Sequence, residues 1–257
     1  MNRRPRLIPV LLLDSARRLV KTVNFGERTY IGDPINVVRL FNEKEVDEIC
    51  VLDIDASREG REPNFGFLRE LASECFMPLA YGGGITAVDQ CDRLCRDGVE
   101  KLVLGSQALN HDLLRAISRD LGSQAVVACI DVRGGSSGKC FIRNARQDTS
   151  LTPFELCRKV EDAGAGEIIL QSVDRDGTRT GFDLELIRTV AARSRVPIVA
   201  LGGAGGNKHL ASALAAGSSA AASGSAFSFI GRLRAVLISY PDHADISLMT
   251  PSEMCAP

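Results

Sequence analysis

The sequence predicts a single (β/α)8 barrel of the TIM type, and three observations carry that prediction. Short apolar runs alternate with stretches of helical period along most of the 257 residues. Eight such runs occur, each a continuous apolar segment, which is how parallel strands covered on both faces read. The pattern of the first half also returns in the second. Strand and helix alternating without a gap argue for a parallel sheet, and eight units in a chain of this length match the closed barrel.

In chain order, LIPVLLL (7–13) is the first strand. A helix over Val37–Glu45 leads to EICVLDI (48–54), and one over Phe65–Ser73 to PLAYGG (78–83). Ala87–Asp97 precedes KLVLGS (101–106), and Asp112–Asp120 precedes AVVACID (125–131). Pro153–Ala163, Asp183–Ala192 and Lys208–Ala215 are the helices before EIILQSV (167–173), PIVALGG (197–203) and AAASGS (220–225). MPLAYGGGI (77–85) returns as VPIVALGGAG (196–205), GVEKLVLGS (98–106) as GSSAAASGS (217–225), and NFGFLRELA (64–72) as FDLELIRTVA (182–191), at offsets of about 119 or 120 residues. Three ordered matches at one spacing read as two half-barrels, each unable to bury its sheet alone. The chain 1–257 is therefore read as one domain, with 242–257, rich in Pro, Asp and Ser, as a loosely held tail.

Composition narrows the function. Lys and Arg total 31 against 32 Asp and Glu, which leaves no field of one sign to hold a nucleic-acid backbone. The N-terminal MNRRPRLIPVLLLD imitates a signal peptide, but no cleavage site follows and Asp14 ends the run, which is also far too short for a membrane span. Of the eight cysteines, Cys91 and Cys95 form an i, i+4 pair, yet none of His111, His209 and His243 stands in metal-ligand spacing to them. No metal, no cofactor, reduced thiols and a cytoplasmic location are expected.

Barrel chemistry sits at the C-terminal ends of the strands. Gly82-Gly83-Gly84 and Gly202-Gly203-Ala204-Gly205 end strands three and seven, while Gly105-Ser106 and Gly224-Ser225 end strands four and eight. Small residues there let backbone N–H groups approach an anion ahead of a helix N-terminus. Two such pairs related by the repeat predict two phosphate sites and a substrate phosphorylated at both ends. Asp53, Asp55, Asp131, Asp174 and Asp176 are the strand-end carboxylates. Asp131 directly ends AVVACI, where a dry rim raises a carboxyl pKa and suits it to acid–base work.

DRDGT (174–178), ALGGAG (200–205), YGGGI (81–85), LGSQAVVACID (121–131) and GAGEI (164–168) together resemble the cyclase subunit of imidazole glycerol phosphate synthase, from about Arg6 to Tyr240. The resemblance implies a barrel paired with a separate glutaminase as a heterodimer. It implies ammonia passed through the barrel to a phosphoribulosyl-formimino carboxamide nucleotide, giving imidazole glycerol phosphate and aminoimidazole carboxamide ribotide in histidine biosynthesis. By the same resemblance Asp131 matches the second catalytic aspartate, and Gly84, Gly105, Ser106, Asp176, Gly177, Gly203, Gly224 and Ser225 fall on the phosphate-binding halves. Arg6, Glu48, Lys101 and Glu167 match the charged ring that gates ammonia entry, with Glu100 beside it as an interface charge.

The sequence departs from the family where the first catalytic aspartate belongs, because Leu12 occupies that place in PVLLLD. Asp14 lies two residues on, on the same strand face if the strand continues: either a small insertion slides it into the catalytic place, which makes it the candidate second carboxylate beside Asp131, or the site has lost one carboxylate. Gln171 and an irregular loop from Arg133 to Thr149 are further departures. They resemble a divergent branch found with surface-polysaccharide genes, in which ammonia serves amidination of an acetamido sugar. A barrel that only activates a glutaminase, and a phosphosugar isomerase, are the remaining alternatives.

Overall fold

Alternate residues along eight parallel strands face either the barrel axis or the surrounding helices, and this period of two makes two separate cores. The computed structural model of the chain describes residues 5–231 and 235–249. The barrel strands are β1 (Arg6–Leu13), β4 (Ile49–Asp53), β5 (Leu79–Gly82), β6 (Lys101–Leu104), β7 (Val126–Arg133), β10 (Glu167–Ser172), β11 (Ile198–Leu201) and β12 (Ala220–Ser223). They pair in that order, and β12 returns to β1 with Arg6 opposite Ala220, so the sheet closes. Ile8, Val10, Cys50, Ala80, Val103, Val127, Ile169, Val199 and Ala222 fill the axis, with Leu12, Leu52 and Cys129 packed against them. The opposite set, including Leu7, Leu11, Ile49 and Leu102, packs under the helices.

The helices α1 (Pro34–Glu43), α3 (Phe65–Ser73), α5 (His111–Leu121), α6 (Pro153–Asp162) and α7 (Leu184–Ala191) all start in one way. Asp33, Asn64, Asn110, Thr152 and Asp183 each accept a hydrogen bond from the backbone N–H three residues on. Thr152 and Glu155 complete a reciprocal capping box. A short turn α2 (Ala56–Glu59), α4 (Val88–Arg96) and α8 (Asn207–Ala215) complete the layer. The half-barrel repeat holds in the fold: from β5 at Leu79 to β11 at Ile198, and from β6 at Lys101 to β12 at Ala220, the spacing is 119 residues in both cases.

Two hairpins lie outside the simple pattern. β2 (Leu19–Thr22) folds back antiparallel onto β1, with Leu12 opposite Val20, and pairs with β3 (Arg28–Gly32). β8 (Lys139–Ile142) runs antiparallel to β7 and pairs with β9 (Gln147–Asp148), which gives the irregular loop after the fifth barrel strand its form. β13 (Phe229–Ile230) and β14 (Ala235–Val236) form a small separate ladder. The expected loose tail is corrected over part of its length. Residues His243–Met249 form α9, which buries Ile246 and Met249, because those two apolar side chains recur at helical spacing and find the core. The remainder of that expectation, 250–257, lies outside the described residues.

Candidate active site

The C-terminal ends of the strands enclose a cavity of about 460 Å³, in the range that holds a small metabolite. Gly84, Gly105, Ser106, Asp131, Asp176, Gly177, Gly203, Gly224 and Ser225 all line it. They come from opposite sides of the closed ring, so the sequence repeat becomes a spatial one. Gly84 and Gly203 occupy equivalent turns with φ of +71° and +110°. A Cβ at either would fall 2.3 Å or less from a carbonyl oxygen, that of Arg61 or of Gly181, so these turns admit only glycine.

Asp131 follows Val127 and Cys129 on the axial face of β7, which aims its carboxylate into the cavity. Burial pushes its pKa up to about 7, and the charge of Asp176 adds to the rise; the N–H of Ala145, which donates to Oδ2 at 3.2 Å, opposes it. Asp176 also sits above the usual carboxylate range because it is buried, although Thr22 donates to its Oδ2 at 2.9 Å. Gln171, the residue that departs from the family pattern, lies on the axial side of β10 and donates to Asp176 Oδ1 at 3.4 Å.

Sequence reasoning missed Lys21. It stands on β2, is buried, lines the cavity and donates from Nζ to the Val10 carbonyl at 2.5 Å. Burial lowers its pKa to about 7 against the opposing pull of Asp176. Gly224 makes room for it, since a Cβ there would lie 2.5 Å from Nζ. Thus two groups of opposite kind, Asp131 and Lys21, both change charge near neutrality in one cavity, the arrangement that acid–base chemistry uses.

At the opposite end of the barrel, Arg6, Glu48, Lys101 and Glu167 form a closed ring. Arg6 binds Glu48 at 2.5 Å and also binds Glu167; Lys101 binds Glu48 at 2.7 Å and Glu167 at 2.9 Å. Both glutamates are buried, and although burial alone would raise Glu167, the bonds and charges of Arg6 and Lys101 hold it below its ordinary value. Glu100 is exposed beside the ring. Above the ring, Ile8, Val10, Ala80 and Val199 help to line an apolar void of about 10 Å³, close to one small molecule.

The chain matches the family model described as "Histidine biosynthesis protein" over residues 6–233. It is 49% identical over 243 residues, 93% of this chain and 96% of the other, to a Pseudomonas aeruginosa protein provisionally named imidazole glycerol phosphate synthase subunit hisF2. It is 45% identical to a Leptospira borgpetersenii protein provisionally named as a HisF subunit, over 96% of this chain and 99% of that one. A Thermobifida fusca protein named imidazole glycerol phosphate synthase subunit HisF is 39% identical over 87% of this chain and 90% of its own. This chain belongs to the HisF family.

Against that family, the expectation for Asp14 needs correction. Asp14 does not line the cavity, whereas Leu12 does. β1 ends at Leu13, so the alternation that would have carried Asp14 inward stops one residue short of it. Its carboxylate instead accepts from the N–H groups of Ala16 and Arg18 at 3.0 and 2.9 Å and pairs with the Arg18 guanidinium at 2.8 Å. Burial would raise its pKa, but the Arg18 bonds win and hold it low. Asp14→Asn is therefore expected to leave turnover within about twofold while costing about 1 kcal/mol of stability. A folded-state pKa below the unfolded one gives stability that is present above about pH 4 and lost as pH falls through the folded value. Thermal melts of the variant and the parent should differ at pH 7, and the difference should shrink as the pH falls below about 4.

Other strand-end carboxylates also have structural partners in this HisF-family barrel. Asp53 Oδ1 accepts from the N–H groups of Asp55 and Ala56 at the start of α2. Asp55 is fully buried and takes a bidentate bond from Arg28, both contacts 2.6 Å. Asp174 accepts from the Gly134 N–H at 2.8 Å. Among the described residues no group of three His, Cys, Asp or Glu side chains could hold a metal, and no helix is long and apolar enough to cross a membrane.

Proposed function

We propose that this chain is the ammonia-using cyclase half of a glutamine amidotransferase pair, and that it converts a phosphoribulosyl-formimino carboxamide nucleotide and ammonia into imidazole glycerol phosphate, aminoimidazole carboxamide ribotide and water. The observation that carries this reading is the placing of two repeat-related glycine turns around one cavity with Asp131 and Lys21 beside them. A substrate with a phosphate at each end has one cradle for each. Its reacting centre then lies over the pair that titrates near neutrality. Ammonia from a glutaminase on the ring face passes between Arg6, Glu48, Lys101 and Glu167 and along the apolar axis. As it adds to the substrate carbonyl, one of Asp131 and Lys21 accepts a proton from nitrogen and the other supplies one to oxygen.

Leu12 removes a carboxylate from the family pattern, and Lys21 gives the mouth its second titrating group. The relatives' names as imidazole glycerol phosphate synthase subunits support the reaction class, and the word subunit in those names supports a partner. Purified chain supplied with the nucleotide and an ammonium salt should release aminoimidazole carboxamide ribotide, followed by its ultraviolet absorbance. Absence of product at saturating ammonia would sink the reading.

The ring makes a separate prediction. Lys101→Ala removes one cation from between two buried carboxylates and leaves them underpaired. Glutamine-dependent turnover with the glutaminase partner should fall by about tenfold or more relative to glutamine hydrolysis, while turnover with free ammonia stays within about threefold. Equal loss of both activities would assign Lys101 to folding instead.

A further inference from the structure

The hairpin formed by β8 and β9 leans over one half of the mouth. Its tip holds Arg143, Asn144 and Ala145 in the left-handed region, with φ of 56°, 57° and 56°. Three such residues in a row, only one of them Asn, are sterically unfavourable and persist where contacts hold them. Asn144 donates from Nδ2 to the Ile54 carbonyl at 2.6 Å, and the Ala145 N–H donates to Asp131 at 3.2 Å. Ile54 follows β4, whereas the hairpin grows from β7, and β5 and β6 lie between those strands. The clasp therefore crosses the ends of β5 and β6, the side that carries Gly84, Gly105 and Ser106.

Four arginines line the cavity: Arg28, Arg58, Arg143 and Arg146. Arg28 and Arg58 are both engaged by Asp55. Arg143 and Arg146, which flank Asn144 and Ala145, are exposed, line the cavity and, among the described residues, have no ion-pair or side-chain hydrogen-bond partner. Two such guanidiniums, held by a strained turn over a backbone cradle for anions, are suited to grip an oxyanion from the side the backbone leaves open.

We propose that Arg143 and Arg146 are a specificity-determining pair that reads an oxyanion, phosphate or carboxylate, at the substrate end held over Gly84, Gly105 and Ser106. The inference rests on the reading of the mouth as a site for a doubly anionic substrate, and it goes beyond that reading by assigning one end to the β8–β9 hairpin.

Calorimetric titration at low salt tests this with two probes, ribulose 1,5-bisphosphate and 6-phosphogluconate, the second carrying a carboxylate in place of one phosphate. The Arg143→Gln/Arg146→Gln double variant should bind the preferred probe about tenfold more weakly, the scale on which one charge-assisted hydrogen bond acts. Arg143→Lys/Arg146→Lys, which keeps charge but not the fork, should fall between the variant and the parent. In ³¹P spectra of the bound bisphosphate, the double variant should move one of the two resonances and leave the other. A larger loss for the bisphosphate assigns the pair to phosphate; a larger loss for 6-phosphogluconate assigns it to carboxylate. Binding to the parent that the double variant leaves within twofold overturns the arginine pair alone. Arginine-dependent binding of 6-phosphogluconate without binding of the bisphosphate upholds the pair and overturns the bis-phosphate reading. No binding of either probe at millimolar concentration overturns both.

Discussion

Asp131→Asn should cut ammonia-dependent turnover by about 10² to 10⁴, the usual worth of a positioned proton-transfer group, with substrate affinity changed by less than about threefold. The substitution keeps size and can still accept from the Ala145 N–H, so the loss isolates the proton. The same variant should be more stable than the parent. Burial raises the Asp131 pKa to about 7 from an ordinary value of 3.8. Between those values the folded chain binds a proton that the unfolded chain does not, so its contribution falls as pH rises through that window and stays lost above it. Asn removes the burden, and melts should show a gain of about 1–3 kcal/mol at pH 8 that disappears at pH 3. Greater activity loss without a stability gain would mean that Asp131 is held ionised by a partner, contrary to the geometry.

Lys21→Met should lower turnover by about 10² or more, because it removes the other group that titrates near neutrality while filling the same space. The sign of its linkage is opposite. Its pKa falls from 10.5 to about 7 in the folded chain, so the unfolded chain holds the extra proton between those values and stability rises with pH across that window. With Asp131 and Lys21 both near 7, the parent's kcat/KM profile should peak close to pH 7 whichever acts as acid. Each variant should flatten one limb of its residual activity. The limb lost in Lys21→Met names the role: loss of the acidic limb makes neutral Lys21 the base, and loss of the alkaline limb makes its ammonium the acid. Retention of both limbs with near-parental turnover would remove Lys21 from the chemistry.

The barrel was readable because each of its strands announces itself locally. AVVACID and EIILQSV are apolar enough to be buried on both faces, and the turns after PLAYGG and PIVALGG repeat. That Gly84, Gly203 and Asp131 would meet at the mouth was readable for the same reason: they stand at strand ends, and the direction of a strand-end side chain follows from a period of two. Asp14 misled because that period was carried past Leu13, where the strand stops and a short-range turn claims the carboxylate. Lys21 was invisible for the complementary reason. LVKT is a four-residue strand with no apolar alternation of its own, and only its antiparallel return onto β1 brings the ammonium under Val10 and against Gly224. Arg143 and Arg146 likewise depend on a hairpin whose tip is fixed by a bond to the far side of the mouth.

The ring of Arg6, Glu48, Lys101 and Glu167 also makes the two halves of the barrel unequal partners. The first half brings three of the four charges and an excess of one positive; the second brings Glu167 alone. Glu167 stands 119 residues after Glu48, but the positions that correspond to Arg6 and Lys101 are Ala125 and Ala220. Two copies of the second half, closed on each other, would oppose two carboxylates with no cation between them. Two copies of the first would crowd four cations around two carboxylates. Only unlike halves neutralise one another in that dry layer, so the lock that closes the floor of the barrel also dictates which half can marry which.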